Sequence, residues 1–275
     1  MDAGYLEALY ARYNRRSLVA GDPVVFVHRY RRAEDREVVG LLSAALAYGR
    51  VRQIQASVER VLERLGPRPA DFLADCGRGE LRGLLGDFRH RFHRAGDVEA
   101  LLAAVGRVRG EHGSLERCFL EGYSPDHEDV APALSHLVGE LGRAGCGGNH
   151  LVSDPAGGSA CKRMNLFLRW MVRRDRVDGG RWAAWLAPKL LVPLDTHMHR
   201  ISTLLGLTRR KSADLRTARE VTRAFARLAP HDPVRYDWAL TRMGMAGEIG
   251  RLGGSELTWQ ISDLRFESRK MRLTI

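Results

Sequence analysis

Apolar residues recur at helical spacing along most of this chain, and that pattern restricts the fold more than any other feature. Leu6, Leu9, Tyr10 and Tyr13 mark a first amphipathic segment. Val38, Val39, Leu41, Leu42, Ala45 and Leu46 mark a more buried one ending at Tyr48-Gly49, and Ile54, Val58, Val61, Leu62 and Leu65 mark a third, stopped by Gly66-Pro67. Further helices are expected over about 97–109, 114–122, 128–142, 159–173, 179–186, 195 onward, 213–228 and 232–246. No convincing strand alternation precedes the last twenty residues, and the tail 253–275 has no assignment. The expectation is an all-α protein, a single unit of two interlocked helical lobes with a cleft between them. The glycine-rich stretch near 145–158 would connect the helices on either side.

With 275 residues, 44% hydrophobic and 28% charged, the chain can bury a sizeable core and is not compositionally disordered. The net charge of +11 comes mainly from arginine, whose planar fork matches phosphate oxygens, so a polyanion is the first partner to consider. Arg163, Arg169, Arg173, Arg174, Arg200, Arg209, Arg210 and Lys211 are the candidate phosphate holders. The alternative is a coding preference for arginine, which would give the same excess without a polyanionic partner. Cys76, Cys118, Cys146 and Cys161 show no C-x-x-C spacing, which argues against a zinc ribbon or a compact iron–sulfur loop. No apolar run approaches the roughly 20 residues needed to span a bilayer, and no signal-peptide pattern opens the chain. A soluble, cytoplasmic, monomeric protein is expected.

Two residues carry the chemistry. Lys162 lies in Ser159-Ala160-Cys161-Lys162-Arg163-Met164-Asn165, expected one turn inside a helix with Ser159 as its N-cap. A cation near a helix start opposes the partial positive charge there, and that field favours the neutral amine a nucleophile requires. Gly157, Gly158 and Ser159 just upstream could offer backbone N–H groups to a phosphate. Asp195 opens Pro193-Leu194-Asp195-Thr196-His197-Met198-His199-Arg200 and is placed to cap the next helix. A carboxylate held rigidly there can also face a developing positive charge. Asp195, His197 and His199 admit a metal-ligand reading as well; His90 and His93 are the further candidates, but the arginines around them make them poor ligands.

Leu191-Val192-Pro193-Leu194-Asp195-Thr196-His197-Met198-His199-Arg200, followed by Leu204-Leu205-Gly206-Leu207, resembles the catalytic-aspartate segment of the helix-hairpin-helix DNA glycosylases. That superfamily includes endonuclease III and the 8-oxoguanine glycosylases. Leu41–Gly49 resembles its early helix, with Tyr48-Gly49 in place of the usual glutamine-containing end. The likeness covers about residues 34–246. It is strongest to the archaeal 8-oxoguanine branch and to bacterial proteins sharing Lys-Arg-x-Asn-x-Phe-Leu-Arg-Trp-Met-Val-Arg and Pro-Leu-Asp-Thr-His.

The resemblance implies Lys162 as the Schiff-base lysine, Asp195 as the catalytic aspartate and Asp237 as a base-pocket carboxylate; Phe167, Trp170 and Trp238 are the candidates to stack on the base. Gly157, Gly158, Ser159, Arg163, His197 and Arg200 would hold DNA. It implies a bifunctional glycosylase and AP lyase acting on an oxidised purine in double-stranded DNA, 8-oxoguanine first, without metal or organic cofactor. Three departures stand out: Asp154-Pro155-Ala156-Gly157-Gly158-Ser159 replaces the usual Gly-x-Gly hairpin, the cluster cysteines are missing, and Leu166 stands where an aromatic would stack. The alternatives are a non-catalytic nucleic-acid-binding protein on this fold and a metal-dependent phosphohydrolase using Asp195, His197 and His199.

Overall fold

The computed structural model describes residues 3–76 and 80–246. Within them the chain is mostly helical, and no helix is long and apolar enough to cross a membrane. The helices are α1 (Ala3–Tyr13), α2 (Val24–Val27), α3 (Ala33–Ala45), α4 (Val51–Leu65), α5 (Pro69–Asp75), α6 (Ala95–His112), α7 (Leu115–Glu121), α8 (Ala131–Leu141), α9 (Lys162–Val172), α10 (Thr196–Leu204), α11 (Leu215–Ala226) and α12 (Asp237–Met245). The expected tail 253–275 lies outside the described residues.

Local rules account for most boundaries. On α4 the side chains of Ile54, Val58, Val61, Leu62 and Leu65 form one buried stripe. The helix stops at Gly66, whose φ of 74° suits glycine, just before Pro67. Ser114 and Asp214 cap α7 and α11 by accepting from the N–H groups of Arg117 and Thr217. Some boundaries expected from the pattern move. The helix expected over 179–186 is a 3₁₀ segment, Ala184–Lys189, and the helix expected from Asp232 begins at Asp237.

A two-residue antiparallel hairpin, β1 (Arg89–His90) and β2 (His93–Arg94), was not anticipated. It is too short to produce alternation. The short helices α2 and α5 were also missed. The N–H of Ala70 in α5 is satisfied by the buried carboxylate of Asp35, a partner far away in sequence.

Helix α3 packs along α9, and α1 and α10 both pack on α12. A Cβ at Gly40 would stand 2.7 Å from Met171 Cε, so glycine sets the closeness of α3 to α9. One continuous apolar core runs from Leu6 on α1 to Met243 on α12. Beneath α7, the buried Glu37 carboxylate accepts from the N–H groups of Leu115 and Glu116 and from Trp182 Nε1, which ties α3 to both segments. The four cysteines are free, with Cys118, Cys146 and Cys161 buried.

Candidate active site

The loop before α9 is pinned from several sides. The Cys161 thiol donates to the Ser153 carbonyl, the Cys161 N–H donates to Ser159 Oγ, and the Asn165 side chain donates to the Ala160 carbonyl. Cys161 itself is left-handed, with φ 45°, and the helix starts at Lys162. Lys162 is therefore the first helical residue rather than one turn inside, and Ser159 satisfies Cys161 instead of capping α9. From that position the half-buried Lys162 side chain reaches the end of α3, where Nζ donates to the Ala47 carbonyl at 3.2 Å.

Asp195 caps α10 as expected, its Oδ1 accepting from the Met198 N–H at 2.8 Å. Lys162 and Asp195 open onto the same cavity of about 220 Å³, whose wall also includes Tyr48, Gly49, Leu166, Arg169, Pro193, His197, Asp237 and Trp238. It is built by the end of α3, the start of α4, the residues just before α2, one face of α9, the start of α10 and one face of α12. Leu166 and Arg169 follow Lys162 by one and two turns, so a single stripe of α9 forms the floor.

That stripe leads into a buried ionic ladder. Arg169, 3% exposed, pairs with Asp237 on one side and Asp178 on the other. Arg173 pairs with Asp178, Asp175 and Asp232. Burial raises the Asp178 carboxyl against the pull of the two guanidiniums. Burial also pushes the Asp237 carboxyl up to about 6, with Arg169 acting against the rise and the charge of Asp195 adding to it. Asp195 and Asp237 are thus electrostatically coupled. Arg169 and Arg173 belong to this ladder and not to a phosphate-holding surface, and Asp237 is neither solvated nor free.

Other expected site residues separate. Phe167 is fully buried, packed edge-on against Trp182 with ring centroids 5.2 Å apart, and does not reach the cavity. Leu166 takes the wall position instead. Trp238 does line the cavity, held by a hydrogen bond from Nε1 to the Tyr13 carbonyl and by Arg242 over its ring at 4.0 Å.

The N–H groups of Gly157 and Gly158 bond to the Asp154 and Pro155 carbonyls inside their own turn, so they are not presented to a phosphate. Gly158 lines a separate groove beside Asp214 and Arg216. Arg163 donates to the carbonyls of Ala45 and His150 and stacks over Tyr48 at 5.1 Å, a cation at the end of α3 in place of an open phosphate contact. Arg200 is exposed near His197 on α10, and His197 is on the cavity wall. His199 turns away, bonded to the Arg210 carbonyl. Among the described residues no three or more His, Cys, Asp or Glu side chains are grouped to hold a metal ion.

Tyr48 and Arg169 were not recognised as wall residues from the sequence. For Arg169 a signal existed, because Lys162, Leu166 and Arg169 fall on one helical face. For Tyr48 the local pattern held none beyond its place at a helix end.

Residues 22–246 match a family described as a protein of unknown function, DUF2400. The chain belongs to that family. The matched span takes in all the cavity residues named above, while α1, which buttresses α12, precedes it. No curated protein and no solved structure matches the chain.

Proposed function

We propose that this DUF2400 protein is a DNA glycosylase with AP lyase activity, acting on an oxidised purine in duplex DNA, with 8-oxoguanine the best single substrate. The observation that carries the reading is that Lys162 and Asp195, on different helices, share one cavity with a third polar wall residue, Asp237. The mostly helical fold and the aspartate segment at the start of α10 are consistent with the helix-hairpin-helix glycosylase architecture.

In this reading the damaged nucleotide is extruded from the stack into the cavity. Asp195 stabilises the positive charge that develops on the sugar as the glycosidic bond lengthens. Lys162 Nζ forms a bond to the anomeric carbon and loses a proton, while the base departs with the bonding pair and takes up a proton. Ring opening leaves a lysine Schiff base. Loss of the proton alpha to that imine expels the 3′ phosphate by β-elimination, and water then releases the enzyme. None of these steps calls for an oxidant or reductant. The protein would act on DNA as a cytoplasmic monomer.

A second reading has its own observation. Lys162 and Arg163 both donate to carbonyls at the end of α3, so Lys162 also serves as a structural cation there. A non-catalytic DNA-binding protein would use it only so.

Borohydride trapping on duplexes carrying single defined lesions separates the two. The expected result is a covalent adduct with wild-type protein on the oxidised-purine duplex, and no adduct from Lys162→Ala although that variant still binds. Undiminished trapping in Lys162→Ala would move the nucleophile elsewhere. A wild-type protein that binds but never traps or releases base would favour the non-catalytic reading.

A further inference from the structure

We infer that the β1–β2 hairpin is a wedge that inserts Phe92 between stacked bases of duplex DNA beside the cavity mouth. This deepens the glycosylase reading and rests on it, because an extruded nucleotide leaves a gap in the stack. Phe92 is the most exposed large apolar side chain among the described residues, at 81%. It stands at the tip of a turn whose neighbour Arg91 is left-handed, with φ 52°.

The hairpin beneath the tip is anchored. His90 is buried, with Nδ1 against Ser57 Oγ at 2.8 Å and Nε2 against the Tyr48 carbonyl at 3.1 Å. Tyr48 returns a hydrogen bond from its hydroxyl to the His90 carbonyl at 3.0 Å. Phe88, at the base, is in the core.

The tip also has a defined position. Tyr48 and Gly49 line the Lys162 cavity, and the Arg91 stem lies so close over Gly49 that an added Cβ there would stand 2.9 Å from Arg91 Cδ. The hairpin therefore rises from the cavity rim.

Its surroundings select the partner. Arg89, Arg91 and Arg94 are exposed on the hairpin, with the Arg91 guanidinium 5.4 Å from the Phe92 ring centroid. An apolar protein groove would have to desolvate these cations, whereas DNA offers phosphates to the arginines and base faces to the ring. Apolar side chains that enter a base step need such a rigid support, since they must unstack the step to do so.

The test uses full-length wild-type protein, Phe92→Ala and Phe92→Trp. Each binds two duplexes, one undamaged and one with a stable abasic analogue next to 2-aminopurine. Wild type is expected to prefer the abasic duplex and to change the 2-aminopurine fluorescence on binding. Phe92→Ala should lose about tenfold in affinity for the abasic duplex, in the range of one base–aromatic stack. It should also lose the fluorescence change while binding undamaged duplex as before, and Phe92→Trp should restore both signals.

If Phe92→Ala keeps the wild-type preference and fluorescence change, or if wild type binds neither duplex, the wedge is wrong. Borohydride trapping by wild type and Lys162→Ala is run on the same preparations. A wedge signal that depends on Phe92, with no trapping by wild type, would leave the wedge standing and remove the Schiff-base reading. Trapping that depends on Lys162, with Phe92→Ala indistinguishable from wild type, would do the reverse.

Discussion

Asp237 and Arg169 form a buried ion pair on the wall of the Lys162 cavity, and each is the other's partner on the cavity side. Removing one member of a buried pair strands the other, which is far more damaging than neutralising it in place. Asp237→Ala is expected to lower stability by about 3 kcal/mol or more, leaving Arg169 with Asp178 alone. Asp237→Asn keeps the shape and an acceptor and should lose clearly less. If Asp237 also reads the extruded base, Asp237→Asn will impair excision of 8-oxoguanine well beyond its effect on cutting at a preformed abasic site. Equal effects on the two substrates would confine Asp237 to the ion pair.

The same carboxyl makes a pH prediction. Its folded value of about 6 lies above the ordinary 3.8, so the folded chain holds this proton more tightly than the unfolded chain does. The contribution to stability is fully present below about 3.8 and is lost as pH rises through about 6. Asp237→Asn cannot ionise. Urea unfolding of both proteins at pH 4 and pH 7 should therefore show the balance shifting toward the Asn variant at pH 7, by on the order of 1–3 kcal/mol. A difference that stays constant with pH would mean Asp237 is ionised throughout.

Asp195→Asn separates capping from charge. Asparagine caps about as well as aspartate, so the bond to the Met198 N–H should survive and thermal stability should stay close to wild type. In the proposed reaction, base release should fall by about a hundredfold, the scale of one preorganised electrostatic contact. A large loss of stability with base release intact would leave Asp195 only a cap.

Gly180 tests how the Asp178 turn is fixed. A Cβ there would lie 2.4 Å from the Arg173 carbonyl oxygen and 2.8 Å from that of Met171, both backbone atoms that cannot swing aside. Gly180→Ala should destabilise by about 2–3 kcal/mol as measured by denaturant midpoint. Gly157→Ala, with nothing near its added methyl, should be close to neutral.

The helices whose signals are local were readable in the sequence. The apolar stripe and terminal glycine of α4, and the caps Asp195 and Asp214, act within a few residues of themselves. The pairing of Lys162 with Asp195 was an expectation that rested on a motif and not on such local signals; both residues line the cavity. What could not be read was where long side chains end. Arg169 and Arg173 look like surface arginines until Asp237 and Asp232 arrive from α12 and the turn before it. Arg163 and Lys162 likewise find carbonyls on a helix far away in sequence. Phe167 and Leu166 are neighbours on α9, and the helical period that sets Leu166 on the Lys162 face turns Phe167 into the core against Trp182. The left-handed Cys161, an uncommon conformation for a residue other than glycine, moved the helix start to Lys162.

The clasp of α1 on α12 has a consequence for the order in which this molecule is made. Trp238 on the cavity wall bonds to the Tyr13 carbonyl across a separation of 225 residues, and Glu7 holds Arg235 and Tyr236 just ahead of α12. During synthesis the first helix cannot make these contacts until the ribosome has released the last wall of the cavity. Closing so long a loop is slow and comes late. The cavity is thus completed only after nearly all of the described chain has emerged, and a nascent chain has no finished cavity before then.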